Sequence, residues 1–242
     1  MTRPVAPQPP TTPQMEDSRY TSGDYLERNT SYHVEDSEWK ALQVVRALEI
    51  AGIEPKDVME VGCGVGEILV QLDRLLGEGE VNFRGYEISP QAHMQSKARE
   101  RENIQFVLED LTESEGVSAD VLLYMDVVEH VEDCFGFLRK LKPKADLHVV
   151  HFPLDMSAQM VARGSRVMAM REKLGHIHYF MRDTAIALLE DCGYEVVADF
   201  YTHRPKSKVA KLLSLPRRML MKFAPHATVR LLGGFSLVVV AR

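Results

Sequence analysis

Cysteine is scarce in this chain. Cys63, Cys134 and Cys192 lie far apart, are odd in number and form no Cys-x-x-Cys pair. That excludes a disulfide framework and a structural zinc site, and makes a reducing, cytoplasmic setting the expected one. No run of eighteen apolar residues occurs, so a transmembrane helix is not expected. The N-terminal stretch lacks the apolar centre of a secretory signal, and no internal repeat is present. Acidic residues are missing from one end: Phe200 to Arg242 holds nine Lys or Arg and no Asp or Glu. The rest carries 20 basic residues against all 35 acidic ones, so the net charge of −6 hides a strong asymmetry. Such a split points to an anionic partner for the basic end, while the acidic body would repel the phosphates of a nucleic acid.

What is present reads as one folded domain behind a tail. Five of the twelve prolines fall in the first 13 residues, so 1–18 is expected to be a disordered Pro-rich tail and 19–242 a single domain. From residue 36 helix and strand patterns alternate. Asp36 or Ser37 is placed to cap a helix with Trp39, Leu42, Val45, Leu48 and Ile50 near helical spacing. Strands are predicted at 58–61, 81–88, 104–108, 121–125 and 147–152, with helices at 67–76, 91–102 and 133–141 between them. Ser89-Pro90 supplies a cap and a first-turn proline, and Pro143 a stop. A helix over 184–192 ending at Gly193, then strands at 194–201 and 235–241, complete the pattern. This alternation predicts an α/β fold with a parallel sheet.

Ligands of open α/β sheets bind beyond the carboxyl ends of the strands. The first strand runs into Glu60-Val61-Gly62-Cys63-Gly64-Val65-Gly66, a turn that lets a ligand touch bare amides. Alone it fits a dinucleotide site, or a turn that only packs helix on strand. The later strand ends narrow the choice. Glu87 lies 25 residues after Gly62, where a carboxylate can bond both hydroxyls of a ribose; Asp110 and Asp126 follow the third and fourth strands. Each acid alone could be a helix cap or a solvated loop residue. Together they suit a cationic ligand without phosphate.

The segment Val58–Gly66 resembles the first motif of class I S-adenosylmethionine-dependent methyltransferases. Glu87 matches that family's ribose-binding acid, Asp110 its adenine-side acid, and Asp126-Val127-Val128-Glu129-His130-Val131 its segment after the fourth strand. His176-Ile177-His178-Tyr179-Phe180 resembles a late segment common in the small-molecule branch. The resemblance implies a seven-stranded, mostly parallel, doubly wound sheet with an antiparallel last strand. It also implies S-adenosylmethionine as cofactor. Its site would take in Glu60, Gly62, Cys63, Gly64, Gly66, Glu87, Ile88, Asp110, Leu111, Asp126 and Val127, with Glu60 positioning the glycine loop or binding the methionine part.

Methyl transfer needs alignment, dryness and, for a hydroxyl acceptor, a base. His130 and His178 are the catalytic candidates, each of which could instead be a packed or loop histidine. Residues 19–50 are expected to form a lid, with Tyr25, His33 and Trp39 as acceptor-wall candidates; Trp39 packing its helix on the sheet is an equal reading. His151, Arg163 and Arg166 complete the substrate set. Insertions at 153–182 and 203–232 are expected on the acceptor side. Arginines with Met156, Met160, Met168 and Met170 suit an anionic acceptor, but a solvated helix face would look the same. The basic Arg204–Lys222 stretch fits weak contact with a membrane surface, binding to the phosphates of a nucleotide- or lipid-linked sugar, or packing on the acidic body. No metal is expected, because His176 and His178 supply only two ligands. The sequence thus predicts methyl transfer, at oxygen, to a small-molecule, glycan or lipid-linked acceptor. The rivals are a NAD-dependent oxidoreductase and a non-catalytic cofactor-binding regulatory subunit. A nucleic-acid methyltransferase is disfavoured because no Asn/Asp-Pro-Pro-aromatic motif occurs.

Overall fold

Buried parallel strands read as short, nearly continuous apolar runs, and five such runs form the first half of the sheet. The computed structural model describes residues 34–203 and 215–242. In chain order the elements are α1 (Val34–Ala51), β1 (Asp57–Val61), α2 (Glu67–Leu76), β2 (Asn82–Glu87), α3 (Pro90–Lys97), β3 (Ile104–Leu108), β4 (Ala119–Met125), α4 (Cys134–Leu141), β5 (Ala145–Pro153), α5 (Ala158–Ala162), α6 (Ser165–Leu174), α7 (Arg182–Asp191), β6 (Val196–Thr202), α8 (Leu215–Phe223), α9 (Pro225–Leu232) and β7 (Ser236–Ala241). The strands stand in the order β3-β2-β1-β4-β5-β7-β6. β1 to β5 pair in parallel, and β7 runs antiparallel to both β5 and β6.

Alternation along each strand divides the core in two. Leu122 and Tyr124 of β4 face one side with Met59, Val150 and Phe152, packed by α4 and α7. Val121, Leu123 and Met125 face the other with Val58, Phe83 and Val149, packed by α1 and α2. Helix α1 begins at Val34, ahead of the expected cap, and its buried face differs from the predicted stripe. Ser37, Ala41, Val44, Ala47 and Leu48 are buried, while Leu42 and Ile50 are exposed. Small residues let this helix lie close on its neighbours.

Local signals set the other helix ends. Ser89 Oγ accepts the Ala92 amide at 3.4 Å, and Pro90 takes the first helical position. Helix α3 nonetheless stops at Lys97 rather than 102: Arg99 and Arg101 beyond it turn to Glu67 and Asp73, each at 2.9 Å. Asp133 Oδ1 caps α4 by accepting the Gly136 amide at 2.8 Å, and a 3-10 turn at Lys142–Lys144 holds Pro143. Pro216 is the second residue of α8, where a missing amide costs nothing. The expected tail 1–18, the lid residues Tyr25 and His33, and the basic residues 204–211 lie outside the described residues. Among the described residues no helix is long and apolar enough to cross a membrane.

Candidate functional site

The strand order reverses between β1 and β4, so the loops leaving these two strands diverge and open a crevice. A cavity of about 950 Å³ fills it, walled by the turns after β1 to β4 and by α1, α6 and the segment before α7. Of the residues assigned to the cofactor, Glu60, Gly62, Cys63, Gly64, Glu87, Ile88, Asp110, Leu111, Asp126 and Val127 all line it. Gly66 does not. Its φ is +78°, and a Cβ there would stand 2.2 Å from the Phe106 ring, so this glycine serves helix–strand packing.

The glycine turn is built from below. Gly64 donates its amide to Glu87 Oε2 at 2.7 Å, and Ser89 donates to Oε1 at 2.8 Å. The Cys63 thiol packs against Gly85, where a Cβ would stand 2.6 Å from its sulfur; burial pushes that thiol well above its ordinary pKa and leaves it protonated. At Gly62, φ +64°, a Cβ would meet the Val127 side chain at 3.0 Å, which keeps bare backbone at the cavity wall.

Glu60 is buried, and its Oε2 has no hydrogen-bond partner among the described residues. Burial, with Glu87 adding to it and Lys40 opposing it, pushes its pKa up to about 8. An orphaned carboxylate oxygen at the floor of a cavity is a receptor for a cation or a donor N–H. The acidic side chains around the cavity far outnumber its two lysines, Lys40 and Lys140. This wall fits a positively charged ligand with amino and hydroxyl groups and opposes a pyrophosphate.

Asp126 has φ +62°, the one positive value outside glycine among the described residues. Lys40 at 2.7 Å and His151 at 2.5 Å hold its two oxygens. Burial works to raise its pKa, but the His151 and Lys40 charges prevail and hold it well below the carboxylate range. Lys40, which sequence reasoning missed, is kept above the usual lysine value by Asp126 despite its burial.

The far side of the cavity is an imidazole and carboxylate cluster. His130 and His176 both line it, their rings edge to face with centroids 5.0 Å apart. His176 Nδ1 is 2.6 Å from Asp155 Oδ2, and His130 Nδ1 donates to the Gly175 carbonyl at 3.2 Å. Glu129 between them is fully buried, neither of its oxygens has a hydrogen-bond partner among the described residues, and burial with the nearby Asp126 charge raises its pKa well above the usual value.

Other expected residues are placed elsewhere. His178 turns away from the cavity and bonds the Val131 and Glu132 carbonyls through Nε2, at 2.9 and 3.2 Å. The H-x-H pair therefore shares no strand face: 176–181 is irregular, and its two rings diverge. His151 is buried behind Asp126, and Trp39 packs edge-on against it at 5.9 Å. Arg163 and Arg166 are exposed on and beside α6 and do not line the cavity. Helix α6 contributes Met170 and Leu174 instead.

Residues 36–199 match the profile of a family described as a methyltransferase domain. No curated protein sequence matches the chain. Several solved structures share its fold. Magnesium protoporphyrin IX methyltransferase from Synechocystis PCC 6803, solved with bound SAH, superposes with a TM-score of 0.60 at 16% identity, over 93% of this chain and 96% of its own. A SAM-dependent methyltransferase from Archaeoglobus fulgidus gives 0.59 at 16%, over 85% and 93%. A chain from the Haloferax volcanii complex between the Trm112 methyltransferase activator and a methyltransferase gives 0.62 at 14%, over 96% and 98%. At these identities the likeness is one of fold.

Proposed function

This chain belongs to the methyltransferase-domain family, and we propose that within it the chain methylates a hydroxyl of an uncharged small molecule. S-adenosylmethionine is its methyl donor. The observation that carries the reading is a single cavity lined by two unlike sets of groups: the Glu60 oxygen with the glycine backbone, and His130 with His176.

The residues suit the donor as follows. Glu60 receives the ammonium of the methionine part, and the Gly62–Gly64 backbone runs along it. Glu87, already shaped by two backbone amides, turns its remaining lone pairs to the ribose hydroxyls. Asp110 accepts from the adenine amine, with Leu111 and Ile88 as apolar contacts. When bound, the donor supplies a methyl group on a sulfonium, a good leaving group. The protein's own task is to align the acceptor oxygen behind that methyl, exclude water and relieve the hydroxyl of its proton. The cluster around His130 and His176 is the group of side chains placed to do the last of these.

We assign the acceptor to the space under α6, where Met170 and Leu174 offer apolar contact and, among the described residues, no arginine enters. The acidic wall disfavours anionic acceptors such as sugar phosphates. A screen of radiolabelled methyl transfer, run across phenols, sugars and their amino analogues, tests the reading. Hydroxylated acceptors should be labelled, and His130→Ala should lower turnover about 10²–10⁴-fold while cofactor affinity holds. Labelling of amines alone would overturn the oxygen assignment. Full turnover in His130→Ala would remove the histidine from the chemistry.

A further inference from the structure

Glu129, His130 and His176 come from two segments 46 residues apart, yet each offers one ligand atom and these atoms lie within 4.8 Å of one another. A metal bound by such groups at about 2.1 Å in a tetrahedral set holds its ligand atoms about 3.4 Å apart. The three groups therefore need to close by little more than an ångström. His130 Nε2 already stands 4.0 Å from Glu129 Oε1.

The orientation of each group suits coordination. Both imidazoles bond through Nδ1, His176 to Asp155 and His130 to the Gly175 carbonyl, and Nε2 of His130 is the atom toward Glu129. A histidine whose second nitrogen bonds a carboxylate or a backbone carbonyl is the usual arrangement of a metal-ligating imidazole. Glu129 supplies a fully buried carboxylate with no hydrogen-bond partner among the described residues, which only a cation or a donor could satisfy. The two segments are also locked together. The Glu129 carbonyl accepts the amides of Ile177 and His178, at 2.9 and 3.1 Å, and His178 Nε2 bonds the Val131 and Glu132 carbonyls. The two segments that carry the ligands are thus held side by side before anything binds.

We propose that Glu129, His130 and His176 form a binding site for one divalent transition-metal ion, with Asp155 orienting His176 and the open coordination positions facing the cavity. Two imidazoles and one carboxylate select borderline ions such as Zn(II), Mn(II), Fe(II) or Co(II) over Mg(II) and Ca(II), which prefer all-oxygen sets. The catalytic use of the ion rests on the oxygen-methylation reading above; its binding does not. In that use the acceptor hydroxyl coordinates the ion, its O–H bond breaks and the proton passes to bulk solvent. The resulting oxyanion attacks the methyl carbon as the C–S bond breaks, releasing neutral S-adenosylhomocysteine.

The experiment uses the untagged, full-length chain stripped with a chelator and titrated with Zn(II) and Co(II). Calorimetry and elemental analysis should give one ion per chain, and bound Co(II) should show visible absorption typical of a low-symmetry nitrogen and oxygen site. Glu129→Gln and His176→Ala should each weaken binding at least 10²-fold, and Asp155→Asn about 10–100-fold. Circular dichroism and melting of the apo variants check that they remain folded. Absence of a stoichiometric ion in the wild-type chain would overturn the proposal, as would binding that none of these substitutions weakens. Failure of metal binding with His130→Ala still inactive would leave the methylation reading standing, which separates the two.

Discussion

The Gly64 amide and the Glu87 carboxylate meet at 2.7 Å across the ends of two neighbouring strands, so the acid proposed for the ribose also shapes the glycine turn. Both Glu87 oxygens accept backbone amides, from Gly64 and Ser89. Glu87→Gln would turn an amide NH₂ toward one of these donors, leaving that N–H without an acceptor. The expected result is about 10–100-fold weaker binding of S-adenosylhomocysteine in calorimetry, since hydrogen bonds to charged groups contribute about 1.5–3 kcal/mol. A lower melting temperature without ligand should accompany it. An effect on ligand affinity alone would show that the two amides do not depend on the charge.

Gly66 and Gly64 should separate in their effects although they are two residues apart. Gly66→Ala places a Cβ against the Phe106 ring and forces a side chain into a φ of +78°, which together cost about 2–4 kcal/mol of stability. Adding Phe106→Ala should relieve the clash but not the backbone strain. Gly64→Val, on the cavity wall with φ +56°, should instead abolish cofactor affinity. Urea denaturation and calorimetry on the same variants check both statements.

Glu60 should make cofactor binding depend on pH. Its carboxyl titrates near 8 in the free protein, raised above its unfolded value of 4.5. The sign follows from that direction: the neutral form is favoured, so this group's contribution to stability is complete below pH 4.5 and fades as pH rises toward 8. An ammonium ligand reverses the preference and expels the proton. Between pH 6 and 8 affinity should therefore rise up to about tenfold per unit, with proton release visible as buffer-dependent enthalpy. Glu60→Gln should abolish that release. A flat profile in the wild-type chain would mean that Glu60 is ionised before the ligand arrives.

Acid should attack the core through His148. This residue is fully buried beside the Tyr124 hydroxyl at 3.2 Å and the Lys142 carbonyl at 3.1 Å, and burial lowers its pKa from 6.5 to about 4. A depressed histidine contributes stability that is complete above pH 6.5 and is lost as pH falls toward 4. The loss amounts to about 3 kcal/mol. His148→Gln should be less stable than the parent at pH 7, with the gap narrowing by pH 4.5 in guanidinium denaturation.

The strands and the donor end of the site were legible because their signals are local. An apolar run followed at once by glycine or an acid is both a buried strand and its ligand-facing end, so Glu60, Glu87, Asp110 and Asp126 could be found without knowing how the chain folds. The acceptor end was not legible in the same way. Glu129 meets His176 only through the loop contacts that bind their segments together, and no spacing rule links residues 47 positions apart. Lys40 reads as an ordinary helical charge until Asp126 is seen beside it. Alanines on the buried face of α1 carry too weak an apolar signal to outweigh Leu42 and Ile50, which point outward. Arg163 and Arg166 looked like acceptor ligands by position, yet the exposed surface of the insertion holds them.

The position of β7 has a consequence in time. It follows β6 in chain order, yet it lies between β5 and β6, and among the described residues β6 pairs only with it. While the chain emerges from the ribosome, β6 has no strand of the sheet to pair with, and one edge of β5 stays open until Ser236–Ala241 arrives. Pairing across such sequence distances is slow, so sheet closure should be the late step of folding, and the open β5 edge a point where nascent chains can pair wrongly.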